Sequence, residues 1–173
     1  MSQSDEERFR ELYRCHGETI TAYVRRRAPA EAVEDIVADT FLVCWRRRDR
    51  VPPDALPWLY AVALRTVAND RRKRAHAVPA GMRLDTPAFV PPLPADDPVL
   101  ADAFAALSER DREVLCLVAW EDLALHQAAK VLQCSPVAAR VRFHRARRRL
   151  AKRLAETEPN AAARQPLPEG ATR

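Results

Sequence analysis

The chain has 173 residues, which is enough for one ordinary domain or two small ones. Its 47% hydrophobic and 31% charged residues favour a folded protein, and only three glycines argue against a turn-rich all-β fold or a Gly-rich phosphate loop. The net charge is +5, no apolar run approaches the roughly 20 residues that span a bilayer, and the first residues lack an apolar stretch, so we expect a cytoplasmic protein without membrane insertion.

Apolar residues at helical spacing predict three helices in the first block, residues 5–77. The first helix stops before Pro29, the second ends near Asp49, and the third begins around Asp54. The third helix continues into the basic run at 71–74. The pattern therefore predicts an all-α fold for this block.

Residues 78–98 contain six of the fourteen prolines and show no periodicity, so we interpret them as a flexible linker. The linker separates the first block from a second small helical block, residues 99–156. The tail, residues 157–173, contains Pro and Gly without an apolar stripe and is expected to be disordered.

The second block has the layout of a helix-turn-helix. A helix capped by Ser108 precedes a short helix at about 124–132, and Ser135 with Pro136 opens a longer basic helix. In such a motif the last helix enters the major groove of DNA.

The last helix separates into two faces. An apolar stripe is predicted to pack on the domain: Ala139, Phe143, Ala146, Leu150 and Leu154. The opposite face holds the candidate base-reading residues, which are Arg140, Val141, His144, Arg145 and Arg148. Arginine donates to guanine and Val can touch a thymine methyl group. The alternative is a solvated face of a helical bundle.

Four residues of the third helix share one side: Trp58, Arg65, Asn69 and Arg72. An aromatic ring with cations and an amide suits single-stranded nucleic acid, where bases stack on rings. Trp58 as ordinary core filler is the alternative interpretation.

The second helix combines acidic residues with large apolar ones around Asp35, Asp39, Phe41 and Trp45. It holds too many large apolar residues for one packed stripe, which predicts an exposed protein-docking surface.

No catalytic residues, metal or cofactor are expected. The four cysteines are far apart in sequence and are interpreted as small buried thiols, and the four histidines lack metal-ligand spacing.

Three motifs then resemble those of one family. Residues 34–46, EDIVADTFLVCWR, are similar to the E-D-[LIV]-V-x-[DE]-T-F-x-x-x-W signature of bacterial sigma factors, and Pro57 to Tyr60 is like their W-L-Y motif. Residues 107–115 and 142–147 resemble the L-P-x-x-x-R-E-V-[LF] and S-R-L-H-R-A-R patterns of the family's fourth region. Two helical blocks joined by a linker resemble the extracytoplasmic-function (ECF) group of the sigma-70 family.

The resemblance implies an RNA polymerase sigma factor. Its second helix would bind the β′ clamp helices of core polymerase through Asp35, Ile36, Asp39, Phe41 and Trp45. The third helix and the loop at 50–56 would capture the melted −10 element, and the second block would read the −35 element and dock on the β flap. An anti-sigma factor is a candidate further partner.

Some residues depart from the family pattern. Gln133 replaces the usual turn Gly, so either it adopts the left-handed region at some cost or the turn differs. Arg65 stands where many relatives have Asn, and Val137 and Ala138 stand where Gly-Thr is common. An atypical −35 sequence is therefore expected.

Two other functions are compatible with parts of the pattern. A stand-alone helix-turn-helix regulator would bind its operator without polymerase. A protein–protein adaptor would use the basic helices for acidic partners and would show no salt-dependent DNA affinity.

Overall fold

The computed structural model describes residues 3–77 and 97–162. Seven α-helices lie in these ranges: α1 (Gln3–Arg25), α2 (Val33–Arg46), α3 (Ala55–Ala77), α4 (Pro98–Ala105), α5 (Glu109–Ala119), α6 (Leu125–Leu132) and α7 (Pro136–Ala162). Short 3-10 helices precede α2 and follow it. The described residues contain no strand, which confirms the predicted all-α fold.

The predicted helix starts are confirmed by their caps. The Ser108 hydroxyl accepts from the Asp111 N–H at 3.2 Å, and the Ser135 hydroxyl accepts from the Ala138 N–H at 3.1 Å. Each bond satisfies a backbone donor that the first helical turn leaves without an intrahelical acceptor. The positions of α5 and α7 thus follow from short-range sequence signals.

Two predicted segments fall largely outside the described residues. These are the linker, of which residues 78–96 are not described, and the tail beyond residue 162. Helix α7 continues to Ala162, past the predicted domain end at 156.

Each block has an apolar interior. In the first block, α1, α2 and α3 pack around a core that includes Ile20, Val24, Ile36, Leu59 and Val67. In the second block, α4, α5 and α7 enclose Phe104, Leu107, Val114, Leu115, Cys116 and Ala146. Burial of these side chains is the main driving force that holds each block together.

The two blocks also pack directly on each other. Helix α6 lies against α3, and four residues of the second block complete the core of the first: Leu117, Leu123, Ala128 and Val131. The apolar residues of one block therefore exclude water from those of the other. No helix within the two described ranges is long and apolar enough to cross a membrane.

Candidate nucleic-acid and protein interfaces

The two predicted faces of α7 are confirmed by their burial. Ala139 and Ala146 are completely buried, and Phe143 and Leu150 are partly buried against the second core. All five candidate −35 residues are exposed: Arg140, Val141, His144, Arg145 and Arg148. Val137 and Val141 are 72% and 41% exposed although they are apolar. The exposed face of α7 therefore combines cations with methyl groups, which are the side-chain groups that suit contacts with base edges.

The turn before α7 is strained at one position. Gln133 caps α6 with φ 52° and ψ 46°, which is the left-handed region that favours Gly. Of the two alternatives expected for this position, a left-handed Gln133 or a different turn, the structure adopts the left-handed Gln133. This turn sets the angle between α6 and α7.

The candidate −10 residues lie along one side of α3 but differ in exposure. Arg65, Asn69 and Arg72 are exposed, and the Arg72 guanidinium donates to the Asn69 side-chain oxygen at 2.5 Å. Trp58 is half-buried and packs at the edge of the first core. Part of the Trp58 side chain therefore packs on the core and part remains accessible, and its stacking on a base stays a prediction.

Trp58 also borders a groove between the two blocks. The groove is lined by residues of the first block, among them Arg47, Trp58 and Arg65, and by Lys130 and Gln133 from α6 and its cap. The groove has three cationic side chains beside an aromatic ring, and one carboxylate, Asp54, which pairs with Lys130 at 3.7 Å and leaves a net positive charge. Its positive charge is suited to a polyanion.

The docking surface of α2 differs from the prediction. Asp35 and Asp39 are exposed as expected, but Ile36 and Phe41 are only 2% and 3% exposed and belong to the first core. The expected exposure of Ile36 and Phe41 is not found, because both side chains point into the bundle, and their contact with polymerase stays a prediction. The apolar stripe of α2 that contains Ile36 and Phe41 is wider than expected, because α1 and α3 both pack on it.

The exposed part of the α2 surface is acidic with a limited apolar component. Trp45 is half-buried, and its ring centroid lies 5.2 Å from the ring centroid of Phe9. The guanidinium of Arg48 lies 5.2 Å from the Trp45 ring centroid. Leu42 is 41% exposed and lines an open groove with Asp35 and Asp39. The opposite wall of this groove is formed by α3.

A group of buried charges lies between the blocks and was not predicted from the sequence. Arg27, in the turn that follows α1, donates to Glu113 in α5 at 3.0 Å and to Glu121 after α5 at 3.2 Å. Tyr23 donates to Glu113 at 3.0 Å, and Tyr60 donates to Glu121 at 3.3 Å. We call these five residues the interblock charge cluster.

The cluster contains charged groups that are almost fully removed from water. The side chains of Arg27, Glu113 and Glu121 are 1%, 9% and 2% exposed. Burial opposes the charge on Arg27, but its neighbours Tyr23, Glu113 and Glu121 outweigh that effect and raise the pKa of Arg27 above its ordinary value. Burial, together with the charge on Glu113, also raises the pKa of Tyr23 well above its usual range.

A sequence signal for this cluster existed only in part. Glu113 belongs to the motif at 107–115 that resembles the family's fourth region, but nothing near Arg27 indicated partners 86 and 94 residues away. Burial of an Arg in a helical sequence is detectable only when the packing is known. The prediction of buried thiols holds for Cys44 and Cys116, whereas Cys15 is exposed.

Among residues 3–77 and 97–162, no group of three or more His, Cys, Asp or Glu side chains could hold a metal ion. The electrostatic features of the described surface are instead an exposed basic helix, a mixed groove and an acidic helix.

Comparisons with known proteins match both blocks. Residues 12–77 match the family described as Sigma-70 region 2, and residues 99–150 match Sigma-70, region 4. RNA polymerase sigma factor CarQ of Myxococcus xanthus is 30% identical over 162 residues, covering 89% of this chain and 93% of CarQ. RNA polymerase sigma factor NccH of Alcaligenes xylosoxydans xylosoxydans is 27% identical, covering 91% of this chain and 92% of NccH.

Two solved structures are similar over most of the chain. CnrH, solved in complex with the cytosolic domain of CnrY, has a TM-score of 0.60 at 25% identity, covering 87% of this chain and 90% of CnrH. The sigma factor RpoE of Bartonella quintana, solved with the anti-sigma factor NepR, has a TM-score of 0.66 at 23% identity, covering 86% of this chain and 98% of RpoE. The similarity to RpoE supports the all-α fold of this chain.

Proposed function

The chain belongs to the sigma-70 family of RNA polymerase sigma factors, in its ECF group, and from this premise we propose which surfaces carry the function. The protein is a sigma factor that directs promoter-specific initiation by RNA polymerase. A stand-alone regulator is not favoured, because the matches cover region 2 as well as the helix-turn-helix.

We assign −35 recognition to the exposed face of α7. The observation that carries this assignment is the exposure of Arg140, Arg145 and Val141 on a helix whose other side is anchored in the second core. A rigid helix with cations and apolar groups on its free face can read base edges in the major groove. His144 and Arg148 lie on the same face and complete the contact.

We assign −10 recognition to α3. Trp58 is accessible at the edge of the core, and Arg65, Asn69 and Arg72 continue along the same side of the helix. Stacking on an aromatic ring requires an unpaired base, so binding here favours opened DNA over duplex. Recognition of the −10 element and strand opening are thereby coupled.

We assign the contact with core polymerase to the exposed residues of α2. Asp35 and Asp39 supply negative charge, and Leu42 supplies accessible apolar surface in the same groove. The half-buried Trp45, which packs on Phe9, adds apolar surface elsewhere on α2. Ile36 and Phe41 hold the helix in position from inside the bundle. An anti-sigma factor is proposed as a second partner, since RpoE and CnrH were solved with partner proteins, one of them an anti-sigma factor. These assignments require no covalent chemistry and place the protein in the cytoplasm with polymerase.

In-vitro transcription tests this proposal. The protein is added to sigma-free bacterial core polymerase on a fragmented library of its own genome, and discrete new start sites with two shared upstream elements are expected. Trp58→Ala is expected to weaken strand opening by about 1–3 kcal/mol, and Trp58→Phe to preserve much of it, because a ring remains for stacking. Absence of new start sites, with no comigration of the protein and core, would contradict the proposal.

A further inference from the structure

A further groove, with a volume of about 390 Å³, is lined by arginines from three helices. They are Arg65 of α3, Arg110 of α5 and Arg142 of α7. The other described residues that line it are apolar apart from an amide and a thiol: Ala61, Leu64, Val131, Leu132, Gln133 and Cys134. We call it the arginine groove, because its described walls carry three positive charges and no carboxylate.

The three arginines of this groove have no partners in the molecule. Within residues 3–77 and 97–162, none of Arg65, Arg110 and Arg142 has a hydrogen-bond or ion-pair partner for its side chain. Elsewhere between the blocks an exposed cation is paired, as Arg71 is with Glu109 at 2.5 Å. Like charges that line one concave surface repel each other and raise the local concentration of anions. The arginine groove is therefore suited to an anion that the chain itself does not supply.

The arginine groove continues into the groove that Trp58 borders. The two grooves share Arg65 and the left-handed Gln133. The carboxylate of the Trp58 groove, Asp54, is already paired with Lys130. A ligand at the arginines thus has a positively charged surface with an aromatic ring beside it.

The chemistry of the arginine groove favours a small ligand with several phosphates. A guanidinium binds phosphate oxygens through a planar fork of two N–H groups. Three guanidiniums offer more charge than one carboxylate can neutralise, and they match the several charges of a polyphosphate group. The groove is concave, whereas a DNA duplex presents its phosphates on a convex surface. Inorganic tripolyphosphate or the phosphates of a nucleotide therefore fit it better than duplex DNA.

We propose that the arginine groove binds the polyphosphate group of a small anion, either inorganic or carried by a nucleotide. The phosphates contact Arg65, Arg110 and Arg142, and a nucleotide directs its base toward Trp58. Since Arg65 also belongs to the proposed −10 face, the bound anion competes with opened promoter DNA and lowers initiation. This effect on initiation rests on the proposed function, whereas binding of the anion rests on the groove alone.

Calorimetry of the full chain with sodium tripolyphosphate, at low salt and without divalent cations, tests the binding. One saturable site is expected, with an affinity that falls as salt is added. Arg110→Gln and Arg142→Gln should each weaken binding about tenfold, because each removes a charge-assisted contact. Arg147→Gln is the matched control, since Arg147 is exposed on α7 and lines neither groove. Equal weakening by all three variants would mean diffuse attraction to α7 and would overturn the proposal.

The thiol of Cys134 reports whether the anion lies in the groove. Cys134 is partly exposed and lines the groove, whereas Cys44 and Cys116 are buried. In a Cys15→Ser chain, the rate at which iodoacetamide alkylates Cys134 should fall as tripolyphosphate is added, with the midpoint found by calorimetry. Alkylation that stays unchanged at saturating tripolyphosphate would place the anion elsewhere and overturn the proposal.

ATP distinguishes the two sources of the phosphates. If ATP binds more tightly than tripolyphosphate and Trp58→Ala removes the difference, the ligand is a nucleotide, whereas equal affinities identify polyphosphate itself. Weaker binding of ATP and tripolyphosphate than of sulfate would contradict both.

Promoter opening by the polymerase complex tests the competition. At a fixed concentration of free Mg²⁺, tripolyphosphate added before core should inhibit opening by the wild type more than by Arg110→Gln. Equal inhibition of the two proteins would contradict the competition. If the wild type opens no promoter even without the anion, the proposed function fails, while calorimetry and alkylation still decide whether the groove binds polyphosphate.

Discussion

Arg149 of α7 is ion-paired with the carboxylate of Asp111 in α5, whose side chain is only 8% exposed. Arg145 lies one helical turn earlier and is exposed. Two arginines on one helix thus have different tasks, because one anchors α7 to the domain and the other remains available to DNA.

The two arginines predict opposite results on substitution. Arg149→Ala leaves the Asp111 carboxylate without this partner and should lower the free energy of unfolding by about 1–2 kcal/mol, less than for a fully buried pair because Arg149 is itself exposed. Arg145→Ala should leave the unfolding free energy within about 0.5 kcal/mol of wild type and cost about 1–3 kcal/mol in promoter binding. Denaturant unfolding and binding of promoter DNA by the polymerase complex measure the two effects. Equal losses of stability in both variants would contradict this division.

Helix α2 offers a similar contrast between its exposed and buried sides. Asp39→Lys should weaken binding to core polymerase several-fold with little change in melting temperature, because the carboxylate is exposed. Ile36→Ala should lower the unfolding free energy by about 2–5 kcal/mol, because it empties space in the first core. Core affinity measured at a temperature where both variants are folded should be reduced only for Asp39→Lys. A folded Ile36→Ala variant that loses core affinity to the same extent would show that Ile36 does contact polymerase.

The turn at Gln133 predicts a stabilising substitution. A residue other than Gly whose backbone lies in the left-handed region lowers stability by about 1 kcal/mol. Gln133→Gly should therefore raise the free energy of unfolding by up to that amount. Gln133→Val should lower it, because a β-branched side chain fits this conformation poorly. Thermal unfolding of the two variants beside wild type measures the difference. Destabilisation by Gly would mean that contacts of the Gln133 side chain outweigh its backbone strain.

Cys116 predicts a loss of stability at alkaline pH. Burial raises the pKa of its thiol from about 9 to about 12. A folded-state pKa above the unfolded value favours the neutral thiol, so the stability from this group is complete below pH 9 and is lost as pH rises from 9 to 12. Cys116→Ala should show a smaller decline than wild type over this range in urea unfolding. If the free energy of unfolding declined equally in both proteins, the alkaline sensitivity would belong to another group, for example Tyr23.

Much of this fold could be predicted because its signals are short-range. The caps at Ser108 and Ser135, the apolar stripe of α7 and the left-handed turn at Gln133 depend on neighbouring residues. The burial of Ile36 and Phe41 was not predicted, because periodicity shows which side of a helix is apolar without showing how many partners cover it. The cluster of Arg27 was missed altogether, because its contacts join residues far apart in sequence and arise from the packing of two blocks.

We expect α3 and α7 of one molecule to read two separate elements of one promoter. Iron-EDTA tethered at Asn69→Cys in α3 or at Val141→Cys in α7, with Cys15 and Cys134 replaced by Ser, cleaves DNA next to each helix in the polymerase complex. Both positions are exposed, so the probe can be attached without unfolding the chain. We predict cuts near −10 from position 69 and near −35 from position 141, on the same promoter and about 25 base pairs apart. Cuts from both positions at one site, or cuts from only one of them, would contradict the account.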